Sequence, residues 1–93
     1  MQGPMQYPCR IRKTYLGEFE VTFPDFPNFV QYFSTEQEAL NALETTLVDA
    51  MARTIASHRL VPFPSRKTAE EFLVGIDEQT MTQVQLYNQS IVQ

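Results

Sequence analysis

The chain has 93 residues, a net charge of −4 and a sequence pI near 4.8. A domain of this size buries about 60–65% of its unfolded surface and is marginal alone, so association with a partner or another copy is expected. The acidic balance is the wrong sign for gripping phosphate backbones over a broad face and suits a basic partner.

One cysteine, Cys9, excludes an internal disulfide framework and a cysteine-based zinc site. No signal segment opens the chain and no apolar run reaches membrane-spanning length, so a cytoplasmic protein with no membrane partner is expected. Met1 to Pro4 read as detachable, with Met5 a natural start and Gly3-Pro4 resembling an expression scar.

From Gln6 to Tyr15 an alternating pattern places Tyr7, Cys9, Ile11 and Lys13 on one face and Pro8, Arg10, Arg12 and Thr14 on the other. That predicts a strand with one buried side. Leu16-Gly17-Glu18 supplies a turn with a glycine free to take positive φ, and Phe19, Val21 and Phe23 then alternate against Glu18, Glu20 and Thr22. The two strands read as a hairpin. In Phe23-Pro24-Asp25-Phe26-Pro27-Asn28-Phe29 two prolines fix φ and remove N–H donors, which predicts an extended, pre-ordered connector against which something packs. Phe29 to Phe33 reads as a third short strand, antiparallel to the second.

Ser34 or Thr35 can cap the helix that follows, and both Ser34-x-x-Gln37 and Thr35-x-x-Glu38 fit a capping box worth about 1 kcal/mol. Leu40, Leu43, Leu47, Met51 and Ile55 recur at helical steps, with Ala39, Ala42, Ala50 and Ala52 allowing close approach to a sheet. Arg53, His58 and Arg59 suit the C-terminal dipole, and Pro62 and Pro64 end the element. Ser65-Arg66-Lys67-Thr68 is a polar break, which divides the chain into residues 5–65 and 66–93. Beyond it Phe72 to Ile76 reads as a strand, and Asp77 caps a last helix carrying Met81, Val84, Tyr87 and Ile91. That helix reaches Gln93 without a stop signal, as expected of a truncated chain or of a short standalone one. The fold class expected is α+β: a small antiparallel sheet of three to four strands covered by one long helix, plus a C-terminal strand and helix.

Catalytic raw material is sparse. His58 is the lone histidine, and Cys9 alternates onto an apolar face without a base nearby in sequence, although Arg10 and Arg12 would activate it if it were exposed. Glu18, Glu20, Asp25, Glu38 and Asp49 do not converge in any recognisable metal or acid–base spacing, and a solvated face accounts for Glu36, Glu38 and Glu44. No cofactor or metal is implied. Arg66-Lys67 and Arg10-Arg12-Lys13 are short enough to be solubilising charge. A strand running into a capped helix at Phe72 to Asp77 is also how a ribbon-helix-helix DNA-binding unit begins, although Phe72, Val74 and Ile76 equally suit an added strand of the main sheet.

Met5 to about Ser65 resembles the HicB family of bacterial antitoxins. The likeness rests on Tyr7-Pro8, on Phe23-Pro24-Asp25-Phe26-Pro27, on Thr35 with Glu38-Ala39-Leu40-Asn41-Ala42, and on Val61-Pro62-Phe63-Pro64-Ser65. Two unrelated proline signatures bracket the same capped helix. The resemblance implies a partial ribonuclease H-like fold without its catalytic acids. It also implies masking of HicA, a small basic messenger-RNA-cleaving toxin, and operon repression through a C-terminal DNA-binding motif. The chain departs from the family pattern at Asn28-Phe29, where Gly-Cys is usual, and at Phe33-Ser34, where Gly-Asp is usual.

A non-catalytic antitoxin is therefore the leading expectation, with a HicA-like toxin as partner, self-association, and operator DNA as a partner where the C-terminal motif is complete. Asp25 and Phe26 on the connector and Glu36, Glu44 and Asp49 on the helix are the candidate toxin contacts. A DNA-binding regulator using Phe72 to Ile76 is the alternative, and an enzyme built on Cys9 or the carboxylates ranks third. Phe26, Phe29 and Phe33 serve either a partner surface or the core.

Overall fold

A computed structural model describes residues 5–92. Met1 to Pro4, read above as detachable, and the end of the chain at Gln93 lie outside the described residues. Strand β1 (Gln6–Lys13) is followed by β2 (Phe19–Thr22), β3 (Val30–Phe33), helices α1 (Glu36–Asn41) and α2 (Leu43–Ala56), β4 (Phe72–Gly75) and α3 (Glu78–Ile91). The architecture is α+β, a four-stranded antiparallel sheet in the order β3-β2-β1-β4 with the C-terminal strand and helix as expected.

The hairpin closes through Thr14 N–H donating to Glu18 C=O at 2.8 Å and Gly17 N–H to Thr14 C=O at 2.9 Å. Gly17 has φ 87, the left-handed value that a side chain would resist. Tyr7, Cys9, Val21 and Phe23 point inward and are fully buried, which is the alternation read from the sequence. Pro8 is buried too, on the other side of β1. It sits beyond the β1–β2 ladder, which begins at Arg10, and its β4 partner is Leu73, so its missing N–H removes no bond to β2.

The Phe72–Gly75 strand is the added strand of the main sheet and not a free ribbon: Gln6, Tyr7, Pro8 and Cys9 pair with Gly75, Val74, Leu73 and Phe72. Ile76 N–H extends this pairing to Met5 C=O at 3.2 Å. Asp77 caps α3 by accepting from Thr80 N–H at 2.7 Å, and Val84 is the residue of α3 that enters the core.

The capping box forms at Thr35. Its hydroxyl accepts from Glu38 N–H, and the Glu38 carboxylate accepts from Thr35 N–H. The stretch expected as one long helix is divided at Ala42, which has φ −103 and ψ 4 and donates to Ala39 C=O, three residues back. This tightened step turns α1 relative to α2. Ala39 becomes the buried residue of α1, Leu40 is left 46% exposed, and Ala52 also faces solvent. The inner line of α2 is Thr46, Leu47, Ala50 and Met51.

Helix α2 ends in a Schellman arrangement: Arg59 N–H donates to Thr54 C=O at 3.2 Å and His58 N–H to Ile55 C=O at 3.0 Å. His58 occupies the left-handed position with φ 59, where glycine is the unstrained choice. The lone histidine is thus a helix terminator. His58→Gly is expected to raise stability by about 1 kcal/mol, read as a higher urea midpoint with unchanged m-value.

Candidate functional site

The Phe23–Phe29 segment is not extended. Phe26 N–H donates to Phe23 C=O at 2.8 Å and Phe29 N–H to Phe26 C=O at 3.0 Å, so the segment is two β-turns in tandem sharing Phe26. Pro24 and Pro27 each occupy the second position of a turn, where a fixed φ near −65° is wanted. Neither Asp25 nor Asn28 has positive φ, which places both turns in the type I class. The phenylalanines fall at the corners, every third residue, and all three are buried: Phe23 at 1%, Phe26 at 5% and Phe29 at 8% exposure. Their rings, with the partly buried Phe33, belong to the core.

Two polar links tie these turns to the rest of the chain. Asp25, at the third position of the first turn, accepts from Ser65 N–H at 2.9 Å through one carboxylate oxygen and from the Ser65 hydroxyl through the other. Tyr7, fully buried in β1, stacks at a tilt on Phe26 with centroids 5.4 Å apart and donates its hydroxyl to Pro62 C=O at 2.6 Å. Burial, and secondarily the charge of Asp25, raises the Tyr7 phenol well above its ordinary value and keeps it a donor.

Of the candidate contact residues, Glu36, Glu44 and Asp49 are exposed, Asp25 is half-buried and engaged by Ser65, and Phe26 lies beneath the surface. Asp25 and Asp49 line two adjoining grooves that share Phe29 and Arg53; Glu36 and Glu44 line neither. The Arg53 guanidinium stands 5.3 Å over the Phe29 ring. Sequence reasoning placed Arg53 at the helix end and did not foresee this ring contact, because the two residues meet only once the tandem turns bring Phe29 beneath α2.

The candidate thiol and the cations of β1 are engaged within the fold. Cys9 is buried, and its thiol is pushed up to about 12, first by burial and second by the charge of Glu71, so it is protonated at neutral pH. Among the described residues no group of three or more His, Cys, Asp or Glu side chains is placed to hold a metal ion. Arg10 pairs with Glu71 at 3.3 Å, Arg12 with Glu20 at 3.1 Å, and Lys13 lies 5.9 Å over the Phe19 ring, so the β1 cations have partners within the chain. The Thr68 N–H first, and then Arg10 and Lys67, hold the Glu71 carboxyl below its ordinary range. No helix among the described residues is long and apolar enough to cross a membrane.

The family model of the HicB-like antitoxin of bacterial toxin-antitoxin systems matches residues 6–84. The chain belongs to the HicB-like antitoxin family. A search of curated proteins finds no match. In this antitoxin the segments that carried the resemblance meet in space: Tyr7 of the first strand, the Phe23–Pro27 turns and the Val61–Ser65 segment are joined by the Tyr7–Pro62 and Asp25–Ser65 bonds. The departure at Asn28-Phe29 has a local account. Asn28 suits the third position of a type I turn, and Phe29 closes that turn while supplying the platform under Arg53.

Tyr7→Phe keeps the ring contact with Phe26 but leaves the Pro62 carbonyl without its donor, and is expected to cost about 1–3 kcal/mol in urea unfolding. The pH dependence has a definite sign. An unfolded cysteine ionises near about 8.5, whereas buried Cys9 holds its proton to about 12, so this contribution is complete below about pH 8.5 and is lost as pH rises. The loss reaches at most about 1.4 kcal/mol per pH unit. Cys9→Ala is expected to flatten the fall in urea midpoint between about pH 8.5 and 10, whatever it does to stability at pH 7.

Proposed function

We propose that this antitoxin neutralises a small basic ribonuclease toxin of the HicA kind by steric and electrostatic masking in the cytoplasm, with no reaction of its own. The observation that carries this reading is the outer face of α1 and α2. From Ser34 to Ala52 the chain has four acids, Glu36, Glu38, Glu44 and Asp49, and no lysine or arginine. All four are exposed, and among the described residues none pairs with a cation, whereas the acids of the sheet face, Glu20 and Glu71, do. Glu36 and Leu40 on α1, and Glu44 and Val48 on α2, each set an exposed acid four residues from a half-exposed aliphatic on the same helix. A charged rim around a small apolar centre is the composition of a protein-binding face.

In this reading Glu36, Glu44 and Asp49 touch the toxin, while Asp25 and Phe26 act from beneath by holding the connector against β1 and Ser65. Residues 5–65 are assigned the masking role, and 66–92 complete the sheet and back the core. Operator DNA is a partner only where a complete C-terminal DNA-binding motif is present. The alternative, a regulator reading DNA through Phe72 to Ile76, has no observation in its favour, since that strand is paired with β1.

The test is suppression of RNA cleavage by a small basic toxin co-expressed with the chain. Reversing Glu36, Glu44 and Asp49 to lysine together is expected to weaken suppression at least about a hundredfold with the thermal midpoint preserved. Added salt is expected to weaken the wild-type complex in the same direction. Full suppression by the triple variant would remove the acidic face from the interface.

A further inference from the structure

The C-terminal helix differs from the rest of the chain in one respect. Charged residues make up 19% of the sequence, yet Gln79 to Gln93 contains no Asp, Glu, Lys or Arg. Its polar positions are Gln, Thr, Asn and Ser. The inner side of α3 is accounted for: Val84 is buried, Asn88 clamps Val61 with two bonds of 2.9 Å, and the Tyr87 hydroxyl donates to Arg59 C=O at 2.8 Å. The outer side is not, for Leu86 and Val92 are 61% and 67% exposed.

Between α3 and the Leu60–Phe63 segment runs an apolar groove lined by Met5, Leu60, Val61, Phe63, Val84 and Val92, among others, with no charged residue in its wall. The other described grooves all contain charged side chains: Asp25, Arg53 and Arg59 in one, Arg12, Lys13, Glu18 and Glu20 in the second, Asp49 and Arg53 in the third. At the mouth of the uncharged groove Phe63 projects with 76% of its surface exposed. A ring and a slot for a ring therefore lie side by side on one surface.

We propose that this groove is the contact between two copies of the antitoxin, related by a two-fold axis that seats each Phe63 in the groove of the other copy. The charge distribution selects this occupant. Two copies at −4 repel through every surface that carries the acids, and lose least where the touching surfaces carry none. A basic partner gains nothing from an uncharged wall and has the α1–α2 acids to bind instead. A two-fold contact requires one self-complementary patch, and a projecting aromatic beside an apolar slot is such a patch. The Asn88–Val61 clamp holds the walls of the slot in place beforehand, so little ordering is lost on association. A standard interface buries about 800 Å² per partner, roughly an eighth of the 6452 Å² accessible surface of the chain. This inference stands apart from the masking reading, because it concerns a different surface and a different partner.

Sedimentation velocity on the whole chain tests it. A dimer is expected that persists or tightens as salt is raised, opposite to the behaviour expected of the toxin complex, because screening relieves repulsion between like-charged copies. Phe63→Glu is expected to weaken dimerisation at least about tenfold, and Gln89→Glu, on the groove wall, to act in the same direction through like-charge opposition. Phe63 and Gln89 are exposed, so both variants are expected to stay folded, their thermal midpoint falling only by what loss of the dimer removes and no longer rising with protein concentration, and Glu44→Lys is expected to leave the dimer intact. A monomer throughout the micromolar range, or a dimer indifferent to both groove variants, overturns the proposal. Loss of toxin binding on Phe63→Glu in a monomeric protein would equally overturn it and assign the groove to the toxin.

Discussion

The fold depends on the bond from the buried Tyr7 hydroxyl to the carbonyl of Pro62. A tyrosine in the first strand with no exposed surface must place its polar tip against an acceptor, and the acceptor comes from a segment 55 residues away. That requirement draws the chain after α2 back across the start of the sheet. Phe26 packs on the same ring, and Asp25 beside it holds Ser65, so connector, first strand and post-helix segment form one joint. Each proline in the joint limits the conformations available before folding as well as after, which lowers the entropic cost of closing it. A small domain with little core to spare gains most from such restraint.

Around this joint charge is sorted by surface. The sheet face neutralises its own ions, Arg10 with Glu71 and Arg12 with Glu20. Among the described residues the acids of the α1–α2 face pair with no cation, and α3 has no charged side chain beyond its first turn. Surfaces of these three kinds respond differently to salt: the first is indifferent, the second loses attraction for a cationic partner, and the third is favoured for contact between like-charged copies. The acidic face and the uncharged face lie on different elements of the chain, α1–α2 and α3.

Local features were legible in the sequence because their partners are a few residues apart. The Thr35–Glu38 box, the Gly17 turn, the Asp77 cap and the inward alternation of Tyr7, Cys9, Val21 and Phe23 all follow from side chains that meet within one turn or one pleat. The tandem turns were legible in principle, since Phe-Pro-x-Phe-Pro-x-Phe repeats every three residues with proline at the second position of each turn; reading the prolines as extension missed the hydrogen bonds that the phenylalanine backbones supply. The candidate acids were partly legible. Exposure of Glu36, Glu44 and Asp49 follows from the helical pattern, but the burial of Phe26 and the engagement of Asp25 depend on Ser65 and Tyr7, far along the chain.

By itself, then, the sequence determined the α+β class, the capped helices, the hairpin, the acidic character and membership of the antitoxin family. Tertiary structure alone decided the rest. The break at Ala42 arises because the helical stretch must keep Ala39 and Leu47 on the sheet at once, which one straight helix does not do with Leu40 turned outward. The pairing of β4 with β1 depended on hydrogen-bonding groups left open along Gln6–Cys9, an edge that no pattern within residues 72–75 reveals. The His58 terminator was likewise settled by the path to Pro62, which demands a left-handed turn wherever α2 ends, whether or not a glycine is there to take it.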